Sequence, residues 1–137
     1  MTRLRLSEHF LVEEFDCHDG THVPRVAEPY VINLARRVLE SLRTEFGVVI
    51  VHSGYRDLAY NQRIGGARSS FHIYELRHGR YPAADVECAS GSVRDWHTFV
   101  DELQHKWSPP HGGLGFYPQG GFVHVDSRPY IARWNGS

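Results

Sequence analysis

Three residues in separate parts of the chain have side chains that suit a single metal ion. His72 lies in Ser-Ser-Phe-His, Asp85 ends Pro-Ala-Ala-Asp, and His124 lies in Gly-Gly-Phe-Val-His-Val-Asp. Two imidazole nitrogens and one carboxylate oxygen suit Zn²⁺, whose catalytic sites use three protein ligands and keep a fourth position for water. Such a site activates water for hydrolysis. The sequence therefore predicts a zinc site, provided that the fold brings these residues together.

Length and composition limit the classes of protein to which the chain can belong. With 137 residues it has room for one core, so we expect a single domain over residues 1–137. A formal net charge of -1 gives no broad basic surface for nucleic acid. No apolar run is long enough for a signal peptide or a membrane span, so we expect synthesis in the cytoplasm.

The two cysteines, Cys17 and Cys88, are too few for a disulfide framework. Their spacing also lacks the Cys-x-x-Cys units of a structural zinc site. We interpret both as small buried hydrophobic residues, and one long-range disulfide between them remains the alternative.

The spacing of apolar residues predicts two long helices. Residues 1–29 are rich in Pro, Gly, Asp and His, which indicates an irregular lead-in. From Pro29 apolar residues recur every three or four positions, which predicts a helix that ends at Gly47. Ser92 begins a capping box, and the apolar stripe that follows predicts a second helix as far as Trp107.

Strands are predicted where two of the three candidate ligands lie. Residues 83–88 predict a strand with Asp85 on its polar face. Residues 113–126 predict a β-hairpin whose second strand places His124 and Asp126 on one face. Helices that are separate from a small, mostly antiparallel sheet make an α+β domain, with the helices packed on one side.

A series of short segments runs in a characteristic order along the chain: Leu6-Ser7-Glu8-His9-Phe10, Glu14-Phe15-Asp16-Cys17, Ser53-Gly54-Tyr55-Arg56, Tyr60-Asn61, Gly65-Gly66-Ala67, Ser70-Phe71-His72, Ala83-Ala84-Asp85 and Gly121-Phe122-Val123-His124-Val125-Asp126. Their order resembles that of the zinc D-alanyl-D-alanine carboxypeptidases, the phage L-alanyl-D-glutamate endopeptidases and the vancomycin-resistance D,D-dipeptidases. The resemblance covers nearly the whole chain, and it implies a hedgehog-like fold.

The resemblance implies a role for each site residue. His72 and Asp85 match the two halves of the family's Ser-x-His and Ala-x-Asp motif, which supplies two zinc ligands, and His124 matches the third. Arg56 matches an arginine that would bind a substrate carboxylate or the oxyanion that forms at the scissile carbonyl. Ser70 is implied to lie near the substrate, although a serine there could also cap a turn.

The chain departs from the family pattern between the first two ligands. Residues 73–84 separate His72 from Asp85, which is more than the family spacing. We interpret residues 73–82 as a loop insertion beside the site. His78 within this loop is an alternative ligand.

A second departure concerns the general base. Some family members carry an acid three residues before the last zinc histidine, but Gly121 occupies that position here. Asp126 is then the nearest carboxylate in sequence to His124. It could take a proton from water or orient the histidine ring, and we favour orientation slightly.

The resemblance implies a zinc metallopeptidase that cleaves stem peptides of bacterial peptidoglycan, as a D-Ala-D-Ala carboxypeptidase or an endolysin-type endopeptidase. We expect a monomer that acts at the cell wall or periplasm after phage-type release. A zinc-bearing binding module that has lost hydrolysis is the alternative, and Gly121 favours it. A metal-free domain would require the motif order to be a coincidence.

Overall fold

The computed structural model describes residues 3–75 and 80–137. The described residues form two short paired strands near the N-terminus, four α-helices and a five-stranded sheet. The helices are α1 (Glu28–Leu34), α2 (Glu40–Phe46), α3 (Leu58–Arg63) and α4 (Val93–Lys106), with a π-helical segment, Ala35–Leu39, between α1 and α2. The strands are β1 (Arg5–Ser7), β2 (Phe10–Leu11), β3 (Val49–Ser53), β4 (Ala84–Cys88), β5 (Gly112–Tyr117), β6 (Phe122–Asp126) and β7 (Ile131–Asn135).

The sheet is mostly antiparallel, as the sequence predicted. Its strand order is β3-β4-β6-β5-β7, and only the β5–β7 pair is parallel. The β5–β6 hairpin matches the predicted hairpin at residues 113–126. Strand β7 was not predicted, because a parallel pairing with β5 depends on contacts that no local pattern specifies.

The helices lie on one face of the sheet. Helix α4 packs on β5 and β6, and α2 packs on β3 and β4. The side chains that meet them are apolar and fully buried, and they include Val86, Leu114, Val123 and Val125. Because side chains alternate along a strand, the polar residues between these positions point to the opposite face. The α+β architecture with helices on one side is therefore confirmed.

The predicted boundaries hold at the end of the first long helix and at the start of the second. Gly47 follows α2 with a φ of 81°, a left-handed conformation that favours glycine. Ser92 caps α4, because its hydroxyl oxygen accepts a hydrogen bond from the Asp95 backbone N–H and its own backbone N–H donates to the Asp95 carboxylate. The π-helical segment Ala35–Leu39 is not visible in the apolar spacing, since its apolar side chains, Ala35, Val38 and Leu39, all stay buried.

The lead-in has more structure than the sequence predicted, because it contains strands β1 and β2 and two 3₁₀ turns, Val12–Phe15 and Arg25–Ala27. Phe10, Phe15 and Val23 anchor it in the core. The Phe15 carbonyl accepts a 2.8 Å hydrogen bond from the Tyr55 backbone N–H. A Cβ at Gly54 would lie 2.8 Å from the Phe15 Cα, so the close approach requires glycine there.

Cys17 and Cys88 are both buried and free, as expected of small hydrophobic residues, and the alternative disulfide is not formed. Among the described residues, no helix combines the length and the apolar character needed to cross a bilayer. Residues 76–79 of the predicted loop insertion, including His78, lie outside the described part of the chain.

Candidate metal centre

One row of residues crosses the sheet on the face that the helices leave free. Paired positions on neighbouring strands place Trp134 beside Gly115, Gly115 beside His124, and His124 beside Asp85. Asp85 in turn pairs with Ser53 of β3. Residues directly opposite each other share a face, so two candidate ligands on different strands become neighbours.

His72 reaches the same point from the loop after α3. Its Nδ1 lies 2.7 Å from the Gly54 carbonyl oxygen, and a carbonyl can only accept, so Nδ1 carries the proton. Nε2 is therefore left with its lone pair towards Asp85. The backbone of this loop is also fixed, since the Arg56 N–H donates to the His72 carbonyl at 2.8 Å.

The three candidate ligands converge. His72 Nε2 and His124 Nδ1 each lie 3.3 Å from Asp85 Oδ1, and one ligand atom of each residue lies within 4.8 Å of the others. Tetrahedral ligands at about 2.0–2.1 Å from zinc are separated by about 3.3 Å from one another. Two of the ligand separations therefore have the size that a shared zinc ion requires.

The hydrogen bonding of Asp85 also fits a metal ion. Its Oδ1 is buried and has no hydrogen-bond partner among the described residues, although two imidazoles face it. A buried carboxylate oxygen without a partner is costly, and an ion between it and the two nitrogens would satisfy it. The donor set of two imidazoles and one carboxylate is one that zinc accepts.

Asp126 contacts His124 through the ring nitrogen that faces away from Asp85. Its Oδ2 lies 2.7 Å from His124 Nε2, so Nε2 donates, and Nδ1, which faces Asp85, is the nitrogen available to a metal ion. Arg128 donates to both Asp126 oxygens, with Nε 2.9 Å from Oδ1 and Nη2 2.7 Å from Oδ2. The Gly113 N–H adds a bond to Oδ1 at 3.1 Å. Both carboxylate oxygens of the fully buried Asp126 are therefore fixed by hydrogen bonds.

The electrostatics of the cluster favour a cation. Burial alone would lower the pKa of His124, but the neighbouring carboxylates of Asp126 and Asp85 raise it to about 8. Burial would raise the pKa of Asp85, but the neighbouring imidazoles hold it well below its usual range. Burial keeps the pKa of His72 below its usual value. Both carboxylates therefore stay ionised beside the imidazoles, as a cation-binding site requires.

A comparison with known protein families identifies the family of the chain. The family model described as peptidase M15 matches residues 8–126, which contain all three candidate ligands. The chain belongs to the peptidase M15 family. M15 peptidases are zinc-dependent hydrolytic metallopeptidases. No curated protein and no solved structure gives a significant match to this M15 chain.

The candidate metal centre opens into a cavity of about 480 Å³, which His72, Asp85 and His124 line. Arg56 lies on one side of it, with Nη2 3.7 Å from Asp85 Oδ2 and Nε 3.3 Å from the Ser53 hydroxyl oxygen. The guanidinium thus stands beside a ligand and is part of the cavity wall.

Ser70 lines the same cavity, but its hydroxyl oxygen accepts a 3.1 Å hydrogen bond from the His72 backbone N–H. The turn-capping interpretation therefore describes its contact in this structure. The hydroxyl hydrogen of Ser70 is left to donate elsewhere. All six residues singled out by sequence, His72, Asp85, His124, Asp126, Arg56 and Ser70, lie at or next to this centre.

Three residues of the site were missed by the sequence analysis, and they are Tyr117, Arg128 and Trp134. All three line the cavity. Arg128 is held over the Phe71 ring at 3.9 Å as well as on Asp126. The segment after Asp126 shows no periodic pattern, and an aromatic residue at a strand end gives no signal of function by itself.

Proposed function

We propose that this M15 protein is a zinc peptidase that hydrolyses peptide bonds in bacterial cell-wall stem peptides. The single observation that carries the proposal is the convergence of His72, Asp85 and His124 at the base of an open cavity. Membership of the M15 family supports peptide hydrolysis as the reaction, and the open cavity would let a peptide reach the three residues. When bound by these residues, Zn²⁺ would lower the pKa of a water to about 7 and polarise the scissile carbonyl.

The chain's own residues prepare the site before any substrate enters. Asp126 and the Gly54 carbonyl each hold one imidazole by its far nitrogen, so both rings present a lone pair to the same point. Arg128 and the Gly113 N–H keep Asp126 ionised and fixed. Because both Asp126 oxygens already accept hydrogen bonds, we assign Asp126 to orientation of His124 and not to proton transfer from water.

Arg56 suits the acidic character of stem peptides. Its guanidinium is partly buried in the cavity wall and keeps only long contacts with neutral groups, at 3.3 Å to Ser53 and 3.4 Å to Asn61. Its contact with Asp85 is also loose, at 3.7 Å. A substrate carboxylate could replace these contacts with a shorter bidentate pair. Arg56 would therefore position the peptide through its terminal or side-chain carboxylate.

The experiment is digestion of purified peptidoglycan by the zinc-loaded protein, followed by mass spectrometry of released stem-peptide fragments. Fragments that require zinc and disappear in Asp85→Asn would support the proposal. Asp101→Asn is a matched control, since Asp101 also accepts from an arginine and contacts a histidine but lies on α4 away from the cavity. Unchanged cleavage by Asp85→Asn would refute the assignment.

A zinc-bearing binding module without hydrolysis is the second candidate. One observation favours it: among the described residues that line the cavity, Asp85 is the only one with a carboxylate, and Gly121 stands where relatives carry an acid. This candidate predicts one tightly held zinc per chain and retention of stem peptides without new fragments. The same digestion, with a binding measurement beside it, separates the two candidates.

A further inference from the structure

Tyr117 ends β5 beside the metal centre. It pairs with Phe122, while Gly115, two residues earlier, pairs with His124, so Tyr117 and His124 are diagonal neighbours on one face. An aromatic side chain can span the distance between diagonal neighbours. Tyr117 also lines the cavity. Nothing in the ligand set requires an aromatic residue there.

The Tyr117 ring is held in a defined position. It stacks on Phe122 with ring centroids 4.6 Å apart and an interplanar angle of 15°. The ring lies against two glycines that have no side chain to displace it. A Cβ at Gly115 would lie 2.8 Å from Tyr117 Cε1, and a Cβ at Gly136 would overlap the ring. A ring that is packed on both sides presents its hydroxyl with little loss of entropy on binding.

The hydroxyl of Tyr117 has one hydrogen bond, and its direction is fixed. Trp134 Nε1 lies 2.9 Å from the phenol oxygen, and an indole N–H can only donate. The phenol oxygen is therefore the acceptor, and no residue in the described part of the chain accepts the phenol hydrogen. Trp134 itself contacts the His124 ring edge-on at 4.8 Å. Trp134 therefore contacts both the Tyr117 hydroxyl and the candidate metal ligand His124.

The two arginines that line the cavity have other partners or roles, and the hydroxyls of Ser69 and Ser70 are not held by a packed ring as that of Tyr117 is. Arg128 gives two of its side-chain N–H groups to Asp126 in a bidentate pair. Arg56 lies beside Asp85 and is the group that we assign to a substrate carboxylate. Tyr117 is left as an oriented donor whose hydrogen is free for a ligand.

We propose that Tyr117 is a catalytic residue that donates a hydrogen bond to the oxygen of the scissile carbonyl as that oxygen becomes negative. This inference rests on the proposed peptidase function. Water oxygen bonds to the carbonyl carbon, and the C=O π pair moves onto the oxygen that Tyr117 contacts. When that pair returns, the C–N bond breaks, and the nitrogen takes the proton that the water has given up. Tyr117 keeps its own proton throughout and stabilises charge that exists only near the transition state.

The test is Tyr117→Phe, which keeps the stacked ring and removes only the hydroxyl. We expect kcat on a stem-peptide substrate to fall about 10²- to 10³-fold, the loss typical of one oxyanion donor, with KM within about threefold. Zinc content and thermal stability should match the wild type. Tyr30→Phe is the control, because Tyr30 is exposed on α1 and does not line the cavity.

A second readout does not depend on turnover. The probe is a D-alanyl phosphinate, in which a tetrahedral anionic phosphorus replaces the scissile carbonyl carbon. Tyr117→Phe should weaken its binding by about 10²-fold. The affinity for the cleaved product dipeptide should change by less than about threefold.

The outcomes separate this inference from the proposed function. Turnover by Tyr117→Phe within threefold of wild type overturns the role of Tyr117 while the peptidase stands. If the zinc-loaded wild type cleaves nothing, the peptidase proposal fails, and selective loss of phosphinate binding in Tyr117→Phe still supports the donor. The donor role of Tyr117 is overturned if the wild type and Tyr117→Phe bind the phosphinate equally well, or if neither protein binds it. Loss of zinc or of folding in Tyr117→Phe also overturns it, because the residue is then structural.

Discussion

The replacement Asp126→Asn tests whether Asp126 orients His124 for metal binding. In the structure Oδ2 faces two donors, His124 Nε2 and Arg128 Nη2, both at 2.7 Å. Oδ1 faces three, the N–H groups of Gly113 and Arg128 and the Arg128 Nε, at 2.9–3.1 Å. An amide NH₂ in either position meets donors only, so the asparagine cannot satisfy both sets.

We expect His124 to lose its fixed orientation in Asp126→Asn. Loss of such an outer partner typically weakens metal binding 10- to 100-fold, which is about 1.4–2.7 kcal/mol. The assay is a zinc titration in competition with a chromophoric chelator at pH 7.5. Asp101→Asn is the control, and its zinc affinity should equal that of the wild type. A zinc Kd for Asp126→Asn within about twofold of wild type would refute the reasoning.

Three further predictions concern stability and are read by urea unfolding. Gly115→Ala should lower the free energy of unfolding by about 1–3 kcal/mol, because its Cβ would lie 2.6 Å from Trp134 Nε1; an unchanged midpoint would contradict the packing of this row. Ser92→Ala should cost about 1 kcal/mol by loss of the α4 cap, and no change would mean that the capping box contributes nothing. Asp16→Asn should cost about 2 kcal/mol at pH 7. Burial would raise the pKa of Asp16, but hydrogen bonds from Arg3 and other donors hold it below its usual value. A lowered folded pKa stabilises above the unfolded value of about 4 and loses that effect as the pH falls, so the cost should shrink towards pH 3; a cost independent of pH would contradict this.

The local structure around each candidate ligand could be predicted from sequence because these residues lie in ordered local segments, whereas their role as ligands came from the resemblance. The strand at Asp85 and the hairpin at His124 follow from alternation, and a capped turn leads to His72. Alternation also placed Asp126 on the face of His124, which is where the structure has it. Each of these inferences needed only neighbours within one element.

The remaining parts of the site depend on pairing between distant strands. Trp134 reaches His124 only because β7 lies parallel to β5 and Gly115 has no side chain between them. No periodicity in residues 127–137 specifies that register. Arg128 likewise acts through a bend after β6 that returns its guanidinium to Asp126. Such contacts are set by tertiary structure and have no local signature.

The most direct test of the account is the position of zinc in crystals grown with the metal. Anomalous diffraction at the zinc edge should show one peak bonded to His72 Nε2, Asp85 Oδ1 and His124 Nδ1, each at about 2.0–2.2 Å. A peak at another site, or these three side chains turned away from one another in the presence of ample zinc, would contradict the central claim.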